Sequence, residues 1–114
     1  MNEGLPMEKD FDTVLLLDTY AGLLTQKQQQ LCDMYYNQDY SLAEIAEVEH
    51  ITRQAARDGI GKARARLQLL EEALGLSSKR QRTLEALEQA RSGQRKTDEV
   101  LSELSDIWEQ QNGI

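Results

Sequence analysis

A chain of 114 residues has room for one domain with a modest core. Its wealth of Leu, Ala, Glu, Gln, Lys and Arg, beside a single Pro and a single Phe, favours helix over strand before any pattern is read. The lone Cys32 and lone His50 leave no internal disulfide, no thiolate metal cluster and no imidazole pair, so neither metal nor cofactor is expected. Cys32 reads as a buried structural thiol. The net charge of −7 is segregated. Residues 1–50 carry ten acids against Lys9 and Lys27, whereas residues 51–66 carry Arg53, Arg57, Lys62, Arg64 and Arg66 against Asp58 alone. One short basic stretch thus sits in an acidic body.

In chain order, residues 1–10 show no apolar period and read as a loose tail. From Phe11 to Leu24, Phe11, Val14, Leu15, Ala21 and Leu24 recur at helical spacing, widened by Leu16 and Leu17, which predicts a largely covered helix. Thr25 with Gln28 fits a capping box that opens a second helix, with Leu31, Cys32, Tyr35 and Tyr36 inward. The Gln26–Gln30 run reads as a solvated face, and Asn37 to Asp39 as a polar turn. Ser41 with Glu44 forms a second capping box, with Tyr40 placed to staple onto Ile45. Thr52 caps a long helix to Leu74, stopped by Gly75, and Gly59 and Gly61 predict a bend or soft spot within it. Ser77 or Ser78 starts another helix with Leu84 and Leu87 inward. Ser92-Gly93 breaks it, and Thr97 caps a last one in which Val100, Leu101, Leu104, Ile107 and Trp108 form one stripe.

Residues 41–61 supply the parts of a helix-turn-helix: a short helix, a tight turn, and a second helix with an exposed face. Ile45, Ala46, Ile51, Ala56 and Ile60 are expected inward, and Thr52, Arg53, Gln54, Arg57, Asp58 and Gly61 outward. Arg and Gln suit guanine and adenine edges, so Thr52, Arg53, Gln54 and Arg57 are the candidate contacts, with Lys62, Arg64 and Arg66 reaching phosphates. The same bases are equally able to serve as the solvated face of a long helix. Two positions depart from the motif. His50 occupies the turn position that favours Gly for its left-handed backbone, and Glu49 stands where an apolar residue is expected.

The combination Leu24-Thr25-Gln26-Lys27-Gln28, Tyr35-Tyr36, Asp39-Tyr40-Ser41-Leu42-Ala43-Glu44-Ile45-Ala46-Glu47 and Thr52-Arg53-Gln54-Ala55 resembles the YlxM family of bacterial helix-turn-helix proteins. That family is itself similar to region four of sigma factors. The match is strongest over about residues 11–74. The resemblance implies an accessory factor of the signal recognition particle, acting on its RNA, its GTPase or both. A DNA-binding transcriptional regulator using the same helix is the alternative.

The fold expected is therefore all-α: a helix-turn-helix bundle over 11–75 with a long recognition-helix extension, and amphipathic helices over 76–114. Those last helices are suited to packing on the helix-turn-helix or on a second copy, as in a homodimer. No apolar run approaches the roughly 18 residues of a membrane span, and the acids near the start oppose a signal peptide, which together predict a cytoplasmic chain. Glu71, Glu72, Glu85 and Glu88 read as helix-surface carboxylates with no His, Ser or Cys partner in a triad-like relation. There is no glycine-rich phosphate loop, so neither catalysis nor nucleotide binding is expected.

Overall fold

The computed structural model describes residues 11–109, so the expected tail over 1–10 lies outside the described residues. The described residues are all-α: α1 (Phe11–Tyr20), α2 (Gln26–Cys32), α3 (Leu42–Glu49), α4 (Arg53–Leu74), α5 (Leu76–Arg91) and α6 (Thr97–Glu109), with no strand among them. They form two compact units that divide between Leu70 and Glu71, inside α4.

In the first unit, α1 ends in a tight 3-10 turn at Ala21–Leu23. The buried row of α1 is Thr13, Leu17 and Tyr20, followed by Leu24, and Phe11 is 70% exposed. The expected row through Phe11, Val14 and Leu15 is displaced, and the helix is covered on one side only. A segment apolar on nearly every face has no unique inward side, so its neighbours choose one. The Thr25–Gln28 capping box forms in full, with Gln28 N–H donating to Thr25 Oγ1 at 3.1 Å and Thr25 N–H to Gln28 Oε1 at 3.0 Å. Beyond Cys32 the helix widens into a π turn at Asp33–Asn37, in which Gln38 N–H reaches back to the Asp33 carbonyl. Asp33 holds that turn, accepting from Asn37 at 2.8 Å and Gln38 at 2.6 Å. These bonds keep its carboxyl below the usual carboxylate range.

The widened helix buries two adjacent faces. Leu31, Met34 and Tyr35 join Ile45, Ala56 and Ile60 in one cluster, while Cys32 joins Leu17, Tyr20, Leu24, Ala63 and Leu67 in another. Tyr36 packs against both, and its ring meets that of Tyr35 edge-on at 5.0 Å. Ile45 and Ile60 are fully buried, as the apolar period predicts.

In the second unit α5 packs on α6. The inward set differs from expectation. Ala86 is buried at the contact, whereas Leu84 and Leu87 are 48% and 41% exposed. On α6, Val100 and Ile107 are buried and Leu104 is half-buried, but Leu101 and Trp108 face outward. Two helices share one line of contact, and a small side chain there lets the backbones approach, which pushes the larger ones to the flank. The start of α5 is also not capped by a serine. Gly75, at φ 62°, ends α4 and precedes α5, and the Glu71 carboxylate accepts from the backbone N–H groups of Ser77 and Ser78, each at 3.0 Å. Glu71 is therefore a cap rather than an idle surface carboxylate. α6 begins on Thr97 itself, with Val100 N–H donating to the Lys96 carbonyl.

α4 runs unbroken through both glycines. A Cβ on Gly59 would lie 2.5 Å from Leu31 Cδ1, whereas one on Gly61 would meet nothing within 4 Å. Gly59 is thus a packing requirement rather than a hinge. Gly61→Ala is expected to raise stability by up to about 1 kcal/mol through helix propensity. Gly59→Ala gains the same propensity but displaces the buried Leu31, with a net loss of about 1 kcal/mol. Urea midpoints of the two variants should move in opposite directions.

Candidate nucleic-acid interface

The α3–α4 pair is a helix-turn-helix whose parts are fixed locally. Ser41 and Glu44 exchange capping hydrogen bonds at 3.0 and 2.8 Å, and Tyr40 packs against the cluster that contains Ile45. The chain leaves α3 through His50 in the left-handed conformation, φ 58° and ψ 43°. Ile51 N–H then returns to the Ala46 carbonyl at 3.0 Å, closing a Schellman turn. Thr52 caps α4, its Oγ1 accepting from Ala55 N–H at 2.9 Å.

Glu49 resolves the second departure from the motif. Its side chain is only 11% exposed, and it accepts from Lys27 Nζ at 2.6 Å and Gln30 Nε2 at 3.4 Å. A buried apolar contact is replaced by a polar clamp that ties the turn to α2. The Gln-rich run is accordingly more than a solvated face. Gln28 completes a capping box, Gln29 donates to the Leu24 carbonyl at 3.0 Å, and Gln30 joins the clamp. Lys27 and Gln30, three residues apart, were the available signal for this.

The seven candidate contacts do not share one stripe. Ala56, Ile60, Ala63 and Leu67 form the buried row of α4. At about 100° per residue, Arg53, Arg57 and Arg64 lie along one flank of that row, and Lys62 and Arg66 along the other. Thr52, Arg53 and Gln54 are exposed at the first turn, as are Lys62 and Arg66 further on. Arg57 is drawn in, with 25% of its side chain exposed, and approaches Asp58 at 3.7 Å. Asp58 also accepts from Gln54 at 2.9 Å, so a carboxylate stands at the crest of the helix between the two basic flanks.

Arg64 is half-buried and faces Cys32 and Tyr36. Burial pushes the Cys32 thiol up to about 11 and the Tyr36 hydroxyl up to about 12, and the Arg64 charge opposes both shifts. The Tyr36 hydroxyl is buried beside Thr13, outside good hydrogen-bond geometry.

Both groups are neutral in the folded state at pH values where the unfolded chain ionises them. Their contribution is therefore complete below about pH 9 and is lost as pH rises through 11 to 12. Chemical-denaturation midpoints should be level from pH 7 to 9 and fall steeply above it, and Cys32 should resist thiol reagents at pH 8 until the protein unfolds. At the turn, His50→Gly relieves the left-handed backbone at some cost in chain entropy, for an expected gain of about 0.5–1 kcal/mol in the same assay.

Among the described residues no helix is long and apolar enough to cross a membrane. The family model for helix-turn-helix proteins like YlxM and p13 matches residues 7–107. A UPF0122 protein of Acetivibrio thermocellus is 46% identical over 90 residues, covering 75% of this chain and 77% of the relative. Another, of Caldanaerobacter subterraneus, is 45% identical over 83 residues, with 72% and 71% covered. A third, of Bacillus licheniformis, is 37% identical over 106 residues, covering 90% of this chain and 99% of the relative. With its turn built at His50, its second helix capped by Thr52 and the match running from α1 into α6, the chain belongs to the YlxM / p13-like helix-turn-helix family.

Proposed function

We propose that this chain is a non-enzymatic, cytoplasmic binding protein that holds the RNA of the signal recognition particle through the first turns of α4. The observation that carries nucleic-acid contact is the exposed cap and first turn of that helix, where Thr52, Arg53 and Gln54 project beside Arg57 from a turn held on both sides. Hydroxyl, guanidinium and amide groups at a helix N-terminus suit phosphate oxygens and base edges together. Lys62 and Arg66, on the opposite flank, suit phosphates of a second strand or turn, and Arg64, turned toward Cys32 and Tyr36, contributes positive potential from beneath. The particle itself enters through the family resemblance, which implies its RNA, its GTPase or both as partners. An Arg and a Gln in the first turn of a recognition helix also suit the major groove, which keeps a DNA-binding regulator as the second reading.

The test is Arg53→Gln with Arg57→Gln, which keeps helix propensity and removes two charges, titrated over a range of salt against the particle's RNA and against mixed-sequence duplex DNA. Weaker RNA binding, with a log–log salt slope smaller by about two and an unchanged circular dichroism spectrum, is the expected result. Loss confined to a particular DNA site would transfer the function to the regulator. Unchanged binding to every nucleic acid would show that Arg53 and Arg57 are a solvated face, and a wild-type protein that binds no nucleic acid while still capturing the GTPase would show that it works through protein contacts alone.

A further inference from the structure

The α5–α6 hairpin carries an exposed apolar face. On α5, Leu76, Leu84 and Leu87 are 37%, 48% and 41% exposed, and on α6, Leu101 and Trp108 are 57% and 49% exposed. Leu76, Arg80, Leu84, Leu87 and Arg91 recur at steps of four, four, three and four, which sets them in one row beside the buried Lys79 and Ala86. Leu101 and Trp108, seven apart, form the matching row beside Val100 and Ile107. In an antiparallel pair of right-handed helices, rows displaced in the same rotational sense from the shared contact line emerge on the same side. All five side chains therefore belong to one face. Trp108 is held on it, donating to Thr83 Oγ1 at 2.8 Å with the Lys79 ammonium 5.7 Å from its ring centre. Five large apolar side chains on one face of two helices exceed the scattered exposure that needs no explanation.

The charges at the margins of this face differ between the helices. α6 carries Asp98, Glu99, Glu103, Asp106 and Glu109 and no base, whereas α5 carries Lys79, Arg80, Arg82 and Arg91 against Glu85 and Glu88. Arg80 and Arg91 belong to the apolar row of α5, and Asp98 and Glu109 border that of α6. The Thr83–Trp108 bond sets the first turns of α5 level with the end of α6, so Arg80 and Glu109 share one end of the hairpin, and Arg91 and Asp98 the other.

We infer that this face is the interface with a second copy of the chain, joined about a two-fold axis parallel to the helices. With that axis α5 of each copy lies over α6 of the other, so that Arg80 faces Glu109 and Arg91 faces Asp98 twice over while the leucines and Trp108 close between them. A two-fold perpendicular to the helices would instead stack basic α5 on basic α5 and acidic α6 on acidic α6. A surface that is apolar at its centre and opposite in charge along its two edges is self-complementary, which a closed dimer of identical chains requires. The dimer stands independently of the nucleic acid bound and brings two helix-turn-helix units into one particle.

The test is molar mass by light scattering on the full chain, with circular dichroism as the check on folding. The wild-type protein is expected at twice the 13.0 kDa of one chain. Leu87→Glu and Leu101→Glu, both at exposed positions, are expected at the mass of one chain with unchanged helicity. Two further variants fix the geometry: Arg80→Glu with Arg91→Glu makes both edges acidic, and Asp98→Lys with Glu109→Lys makes both basic. Each alone is expected as a single chain, and their mixture as a dimer, because the exchanged edges match only between the two variants. A wild-type protein at single-chain mass at several hundred micromolar would overturn the proposal. So would a double mass retained by the Leu87→Glu and Leu101→Glu variants, or a failure of the mixture to associate.

Discussion

The first unit depends on how closely α4 can pass α2. The hydrogen of Gly59 faces Leu31 where any larger substituent would collide, and that approach lets Ala56 and Ile60 share one cluster with Leu31, Met34, Tyr35 and Ile45. Interiors are packed tightly enough that one methyl group in such a place must displace something. Since Ile45 belongs to α3 and Ile60 to α4, the same contact sets the two helices of the helix-turn-helix against a common support. The turn between them is then held from α2 as well, by Lys27 and Gln30 on Glu49.

Around that contact, the ends of the helices are satisfied largely by neighbouring side chains. Thr25 with Gln28 and Ser41 with Glu44 close reciprocal caps, Thr52 caps α4, and Glu71 reaches past Gly75 to two amides of α5. Each removes orphaned backbone donors that would otherwise disfavour a short helix. Their importance is greatest for α3, with eight residues, because a helix that short is marginal in water on propensity alone. The start of α4 is therefore fixed at both the cap and the core.

The surface of α4 is not uniformly basic. Its bases are divided between two flanks, and Asp58 occupies the crest, bonded to Gln54 and near Arg57. A helix so arranged does not present an indiscriminate positive stripe, and with the acidic remainder of the chain it disfavours general attraction to polyanions. Contact at the first turn would then depend on geometry and on releasing Gln54 and Arg57 from Asp58, which suits selective recognition more than bulk electrostatic binding.

The elements and their caps were legible in the sequence because they depend on residues three or four apart. Ser41 with Glu44, Thr25 with Gln28, Thr52, and the buried pair Ile45 and Ile60 all follow from such local spacing. The left-handed turn at His50 was legible for the same reason, as a backbone requirement of the motif. What only the tertiary structure decided involves partners distant in sequence. Glu49 is a flaw in the motif until Lys27 and Gln30 are beside it, Gly59 is a soft spot until Leu31 is opposite, and Arg64 belongs with an exposed basic row until Cys32 and Tyr36 lie beneath it. In α5 and α6 the leucine pattern names an apolar stripe wider than one partner helix covers. Periodicity therefore could not tell which side Ala86 would claim and which would be left to Leu84, Leu87, Leu101 and Trp108, since that choice belongs to the contact between the two helices rather than to either helix alone.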